Sequence, residues 1–513
     1  MSRTWINHPQ ASDSFQRVKQ QQFSFDPSVA PSNSKFKTPS WVRRAPVTPV
    51  NSLDLNGLGE PFEWSQPTYR GIDLRKPDPR LRVPQYEINS PNSQDGIILF
   101  CNVNILDSTG REPYLGDVLV RGNRIASVGP KVALESVESD AARIIEGNGR
   151  TLMSGLVDAH THFTWTNAGS LNALGEMATP NTWSSSLDDS FLDCGYTMCL
   201  GAASAKQRID CVIRDAINEG TIPGPRFLAN AKEIAPRDGS LVDDITAFAD
   251  TPEELAQIIK DNVTLGIDQI KLSMSGEEIT ERLRAEDTTF KDECVAAAVE
   301  LAHEAGIRVC SHARSDESII QCLQYGVDII YHASFISDAT MDALEAQKER
   351  VFVAPGINWL YATLYDAEAY GYGPAKAEAA GYRRELEVSI AALKEMHARG
   401  IRILPGGDYG LYAHSYVRFA WSPHGTYRDL EHFVKLLDYT PMDAILAGTA
   451  LGGELMMRPN ELGKVQPGFF ADLILVDGNP LENINLLSDQ KNVSLVMING
   501  HIHKDHLKDR AIL

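Results

Sequence analysis

Residues 154–163 read Ser-Gly-Leu-Val-Asp-Ala-His-Thr-His-Phe. Leu156, Val157 and Ala159 suit a strand buried on both faces, and the run ends on a polar tip that holds His160 and His162. Residues i and i+2 of a strand point the same way, so the two imidazoles face one side and can share one metal. Seven later stretches repeat the texture: 195–201 (GYTMCLG), 225–231 (PRFLANA), 267–274 (IDQIKLSM), 307–313 (IRVCSHA), 328–335 (DIIYHASF), 351–356 (VFVAPG) and 401–407 (IRILPGG). Helical stretches lie between them. Two of these, 251–266 and 292–306, open on a capping-type Thr or Asp and close at Gly. Eight such units across 153–453 predict an α/β fold, a (β/α)8 barrel of TIM type. A doubly wound open sheet is the other architecture, but no GxGxxG follows the early strands.

Outward from the barrel, 96–152 and 454–513 share a different pattern. GIILFCNVNILDSTG and GDVLVRGNRIASVG near one end, and FFADLILVDGNP and VSLVMINGHIHK near the other, read as short strands and hairpins. They predict one small β-sandwich built from both flanking segments. Residues 1–95 are rich in Pro, Ser, Asn and Gln, with Trp41, Phe62, Trp64, Tyr69 and Tyr86 spaced among the prolines. They read as an extended arm pinned to a neighbouring surface by its aromatics, with a disordered tail as the alternative. An arm that clasps a neighbour implies a homo-oligomer.

The 513 residues are 43% hydrophobic and 23% charged, an ordinary globular composition. Lys plus Arg number 48 against 68 Asp plus Glu, a net charge of −20 that disfavours nucleic acid and anionic membrane surfaces as partners. No run reaches the ~18 apolar residues of a membrane span. Seven scattered cysteines, none in a CxxC, read as reduced thiols and a cytoplasmic location. The expected partner is a small-molecule substrate.

Active sites of such barrels lie at the C-terminal ends of the strands. The fourth strand carries Lys271 between Ile270 and Leu272, the fifth ends at His312, the sixth at His332 and the eighth at Asp408. Burial favours the neutral form of a lysine. A neutral amine reacts with carbon dioxide to give a carbamate, whose two oxygens can bridge cations ~3.5–4 Å apart. His501 and His503 form a second HxH, but in the last terminal strand. His303 and His397 sit near helix C-termini, where a cation offsets the dipole. These four are expected to have structural roles only.

The ordered set His160, His162, Lys271, His312, His332 and Asp408 resembles the amidohydrolase superfamily in its binuclear, carboxylated-lysine form. SGLVDAHTHF, QIKLSMSG and LGKVQPGFFADLILVDGNPL are similar to the imidazolonepropionase-related branch, which holds Xaa-Pro and Xaa-Arg dipeptidases and ochratoxinase-type fungal amidases. The resemblance covers about Gly96 to the C-terminus. It implies that His160 and His162 bind one divalent ion beside Asp408. His312 and His332 bind a second, and carboxylated Lys271 and a hydroxide bridge the two. Zinc is the first expectation for the metal. The chain departs from the branch at Arg314, Ala333 and Gly407.

The implied reaction is hydrolysis of an amide C–N bond in an N-acyl amino acid or dipeptide-like substrate by the bridging hydroxide, with Asp408 moving the proton. A lactonase or cyclic-amide hydrolase on the same dimetal site is the alternative. A deaminase fits less well, because Ser315 stands where those enzymes place a glutamate. A metal-free scaffold is disfavoured by the six intact ligand positions. Arg314 follows His312 by two residues, so both point to the mouth. Its guanidinium needs an anion: either a neighbouring carboxylate such as Asp316 or Glu317, or a substrate carboxylate held by two parallel hydrogen bonds. Trp165, Asn358, Tyr361, His414 and His424 are expected to complete the substrate pocket from the strand-end loops.

Overall fold

A computed structural model describes residues 67–84, 96–131, 142–166, 191–239, 245–278, 282–370, 372–411 and 427–507. Two parallel sheets dominate it. The first runs in the order Arg226–Leu228, Tyr196–Gly201, Leu156–Thr166, Tyr409–Leu411. The second runs Thr246–Phe248, Glu233–Ala235, Gln269–Ser273, Arg308–Ala313, Ile329–His332, Phe352–Ala354. Backbone hydrogen bonds continue from one sheet to the other at two seams. The Asp268 N–H donates to the Ala229 carbonyl at 2.9 Å. At the other seam Val353 donates to Arg402 (2.9 Å), Leu404 to Val353 (2.9 Å) and Ala159 to Pro405 (3.0 Å).

Two details differ from expectation. The stretch 401–407 forms only an isolated parallel bridge, Val353 to Ile403, because Pro405 has no N–H to donate and two glycines follow it. A parallel pair, Glu233–Ala235 with Thr246–Phe248, stands between the third and fourth predicted strands. Its members have three residues each, too short to show a period.

The helices cover the outer face of the strands. Thr251 caps Pro252–Thr264 by accepting the Glu254 N–H at 3.3 Å, with Pro252 in the first turn. Ser315 caps Asp316–Tyr325, which ends on left-handed Gly326. Asp292 is not a cap: helix Asp292–Glu304 starts after Lys291, and the acid sits in its first turn, where it meets the positive end of the dipole. Ile270 and Leu272 belong to the core between strands and helices, so Lys271 between them faces inward.

The two ends of the chain meet in one eight-stranded sheet, in which Thr151–Ser154 pairs antiparallel with Leu473–Val476. The described strands are joined by one hydrogen-bond network. Alternation divides the faces. Leu473, Leu475, Leu495 and Met497 pack with Phe100 and Val118. Ile474, Val476, Val496 and Ile498 turn to the main core. In the last strand His503 meets Asp193 at 3.0 Å.

Of the N-terminal arm, 67–84 lies on its own chain. The Tyr69 ring meets Tyr325 edge-on at 5.4 Å, Arg80 bonds Glu300 at 3.1 Å, and the Leu74 carbonyl accepts from Arg350 at 2.9 Å. Asp78 reaches His303 Nδ1 at 3.0 Å, while Asp328 takes Nε2 at 2.9 Å. His303 is therefore held by two buried carboxylates, not chiefly by a helix end. Burial works against its charge, but Asp328 and Asp78 prevail and push it from 6.5 up to about 9. A raised folded-state value means stability that is full below the unfolded value and lost as pH climbs through about 9. The difference is on the order of 3 kcal/mol. The melting temperature should fall between pH 6.5 and 10 in the wild type and much less in His303→Gln. Equal slopes in the two proteins would remove this role from His303.

Candidate metal centre

Strand Leu156–Thr166 presents His160 and His162 together, either side of its midpoint. The Asp158 carboxylate accepts the His160 backbone N–H at 2.9 Å and steadies that turn of chain. His162 Nδ1 is 3.3 Å from the Ala203 carbonyl. A carbonyl can only accept, so Nδ1 donates to it, and Nε2 would offer its lone pair once a metal stands between the ring and Asp408. That Nε2 is 2.9 Å from Asp408 Oδ1, and His160 Nε2 is 3.3 Å from the same oxygen. By the same logic His312 donates from Nε2 to the Gly276 carbonyl at 3.1 Å and keeps its lone pair on Nδ1. The His312 and His332 rings are 4.6 Å apart, and His160 and His332 5.2 Å. One ligand atom each from His160, His332 and Asp408 falls within a 4.8 Å group. Lys271, 2% exposed, holds Nζ 4.5 Å from the Tyr331 ring on which His160 stacks at 3.9 Å.

The backbone is specialised at this point. His332, Ala333 and Asp408 all have positive φ, at 72°, 54° and 60°, a region that non-glycine residues enter at a cost of order 1–3 kcal/mol and mainly at functional sites. Two glycines leave room for the rings. A Cβ on Gly356 would stand 3.0 Å from His332 Nδ1, and one on Gly406 3.1 Å from the His160 Cβ.

The electrostatics favour a cation. Desolvation holds His160, His312 and His332 well below the usual imidazole range, so they are neutral and offer lone pairs. Burial opposes the charge on Asp408, but His160 and His162 outweigh it and keep the carboxyl low. His160 and His332 each retain a buried Nδ1 with no hydrogen-bond partner among the described residues. Neutral imidazoles, a carboxylate and unsatisfied nitrogens converging in a buried place are the donor set for a divalent ion.

The surroundings differ from the sequence reading. Arg314 is not an open clamp. It is fully buried, bonds Glu277 at 3.0 Å and also pairs with Glu385, so its carboxylate partners in the chain are not Asp316 and Glu317. Glu277 in turn lies 3.7 Å from His312 Nε2, and burial raises its carboxyl against the pull of Arg314. Removing the guanidinium leaves two buried carboxylates without their cation. Arg314→Met should lose ~3–5 kcal/mol in denaturant unfolding, with equal activity losses on an acid substrate and its carboxamide. A steep loss on the acid alone would restore the clamp.

Asn358 and Tyr361 lie on helix Ile357–Tyr365, not in a loop. The buried Asn358 accepts from His432 Nε2 at 3.0 Å, and Tyr361 packs 4.7 Å from the same ring. His414, His424 and the side chain of Trp165 lie outside the described residues. Sequence reasoning passed over Tyr331, Glu277, Glu385 and Glu233. Glu233 did leave a signal, a carboxylate next to Lys232 in a short stretch whose other residues are Ala231, Ile234 and Ala235.

The sequence model described as the amidohydrolase family matches residues 151–503. The chain belongs to that family. An ochratoxinase of Aspergillus niger is 24% identical over 516 aligned positions, covering 90% of this chain and 96% of that protein. The A. niger ochratoxinase crystal structure superposes with a TM-score of 0.67 at 20% identity, covering 80% of this chain and 96% of the other. A Xaa-Pro dipeptidase with methionine bound in its active site gives 0.67 at 22% identity, over 80% of this chain and 100% of that one. These likenesses make the fold of this amidohydrolase a TIM-barrel-type α/β fold. Membership makes it a hydrolase acting on carbon–nitrogen bonds, of a family that generally uses a divalent metal site. Among the described residues, no helix is long and apolar enough to cross a membrane.

Proposed function

We propose that this amidohydrolase is a dimetal amidase, built on a closed eight-unit barrel, that cleaves N-acyl amino acids or dipeptide-like substrates. The observation that supports it is the gathering of His160, His332 and Asp408 within 4.8 Å, with His162 2.9 Å from Asp408 and His312 beside His332. His160 and His162 with Asp408 would hold one ion, His312 and His332 the other, and a carbamate on Lys271 would serve both. Zinc suits the imidazole and carboxylate-type donors. When bound, the ions supply Lewis-acid polarisation of the scissile carbonyl and a water acidic enough to react at neutral pH.

The chain's own residues do the rest. Asp408 Oδ accepts the proton of the attacking water and hands it to the leaving nitrogen. The Ala203 and Gly276 carbonyls orient the His162 and His312 rings and would leave the opposite nitrogen of each for a metal. The Arg314 ion pairs hold the Glu277 segment against the strand that carries His312.

The test is a screen of N-acyl amino acids, dipeptides including Xaa-Pro, lactones and cyclic amides against zinc-loaded protein, with a chelated control. Amide cleavage that disappears on chelation and returns with zinc is the expected result. Turnover confined to lactones or cyclic amides would replace the amidase reading with its alternative. Turnover untouched by chelation would end the metal reading.

A further inference from the structure

Glu233 opens the short strand Glu233–Ala235. The register pairs Ile234 with Leu272 in parallel, which sets Glu233 level with Lys271 on the adjoining strand. Ile234 and Leu272 both pack into the outer core, so by alternation Glu233 and Lys271 share the inward face. Glu233 is 5% exposed and has no hydrogen bond or ion pair among the described residues. A buried carboxylate in that condition is costly unless a cation answers it. Burial raises its carboxyl, and the groups whose charge reaches it are Lys271, His162 and Asp408, the residues of the metal centre.

We infer that Glu233 belongs to the metal centre, as the carboxylate that balances its charge and strengthens its hold on the ions. This rests on the dimetal reading above. Two divalent ions bring four positive charges. Asp408, a carbamate on Lys271 and a hydroxide return three, and the imidazoles are neutral. One positive charge is left over in a buried place, where uncompensated charge is expensive. Glu233 supplies the missing negative charge from the strand next to Lys271. It lies outside the 4.8 Å group of His160, His332 and Asp408, so it acts as a positioning residue through the field, not as one of that close set.

The experiment measures zinc alone. Zinc per chain and the two apparent affinities are determined, by competition with a chromophoric chelator, for wild type, Glu233→Gln and Glu233→Asp. Thermal melts of the metal-free proteins check that all three fold alike. Glu233→Gln keeps the shape and removes the charge. It should weaken at least one ion by about ten- to a hundred-fold, the usual effect of losing an outer partner, and Glu233→Asp should restore most of that loss. The absorption spectrum of the cobalt-substituted protein should shift in Glu233→Gln and return toward wild type in Glu233→Asp. Two ions in wild type with unchanged affinities in Glu233→Gln would overturn the role of Glu233 and leave the dimetal reading standing. Fewer than two ions in wild type would overturn the dimetal reading and the charge balance together.

Discussion

Lys271→Ala is expected to lose more than about 100-fold in turnover, beyond the usual effect of removing an outer residue, and to retain fewer than two ions per chain. The reason is the place of the side chain. Lys271 is buried between Ile270 and Leu272, its Nζ lies over the Tyr331 ring, and its charge reaches His160, His312, His332 and Asp408 at once. A carbamate on that nitrogen, as proposed above, would supply two oxygens to the ions; a methyl group would supply none. High concentrations of a short-chain carboxylate should restore part of the activity by filling the space with the same two oxygens. Metal analysis and steady-state kinetics on one preparation check both statements. Wild-type turnover in Lys271→Ala would show that the lysine does not bridge.

Asp408→Asn is expected to lose at least ~100-fold in turnover, within the range for a general acid–base group, while the metal content stays near wild type. Asp408 Oδ1 is the atom that His160 and His162 both approach, at 3.3 and 2.9 Å. Its side chain is 13% exposed, against 1% for His160. Asparagine keeps an oxygen there and cannot take up a proton. The contrast with Lys271→Ala is the informative part: one variant loses metal and turnover together, the other turnover alone. An Asn variant with retained turnover would move the base to another residue.

Much of the barrel could be read along the chain because its signals are local. His160 and His162 are two apart, and a strand's period of two makes them neighbours whatever the rest of the molecule does. The apolar residues around Lys271 mark a buried strand, and Gly266 and Gly306 close their helices because glycine tolerates a left-handed backbone. The short strands Glu233–Ala235 and Thr246–Phe248 escaped because three residues are too few to establish alternation. The 401–407 segment was over-read as a strand: its apolar start promised a ladder that Pro405 cannot continue.

The partners of the buried charges had no local signature. Arg314 was weighed against Asp316 and Glu317, which are close in sequence, yet it pairs with Glu277 and Glu385, 37 and 71 residues away. His303 meets Asp328 at a separation of 25 residues and Asp78 at 225. The sequence by itself determined the longer strands and helices and the shared face of His160 and His162, because those properties follow from periods of a few residues. Only the tertiary structure decided which charges meet, that 67–84 lies on its own chain, and that Glu233 stands level with Lys271. Each of these depends on the order and register of strands distant in the chain, and the cost of an unpaired buried charge acts on that arrangement in space and leaves no spacing in the sequence to read.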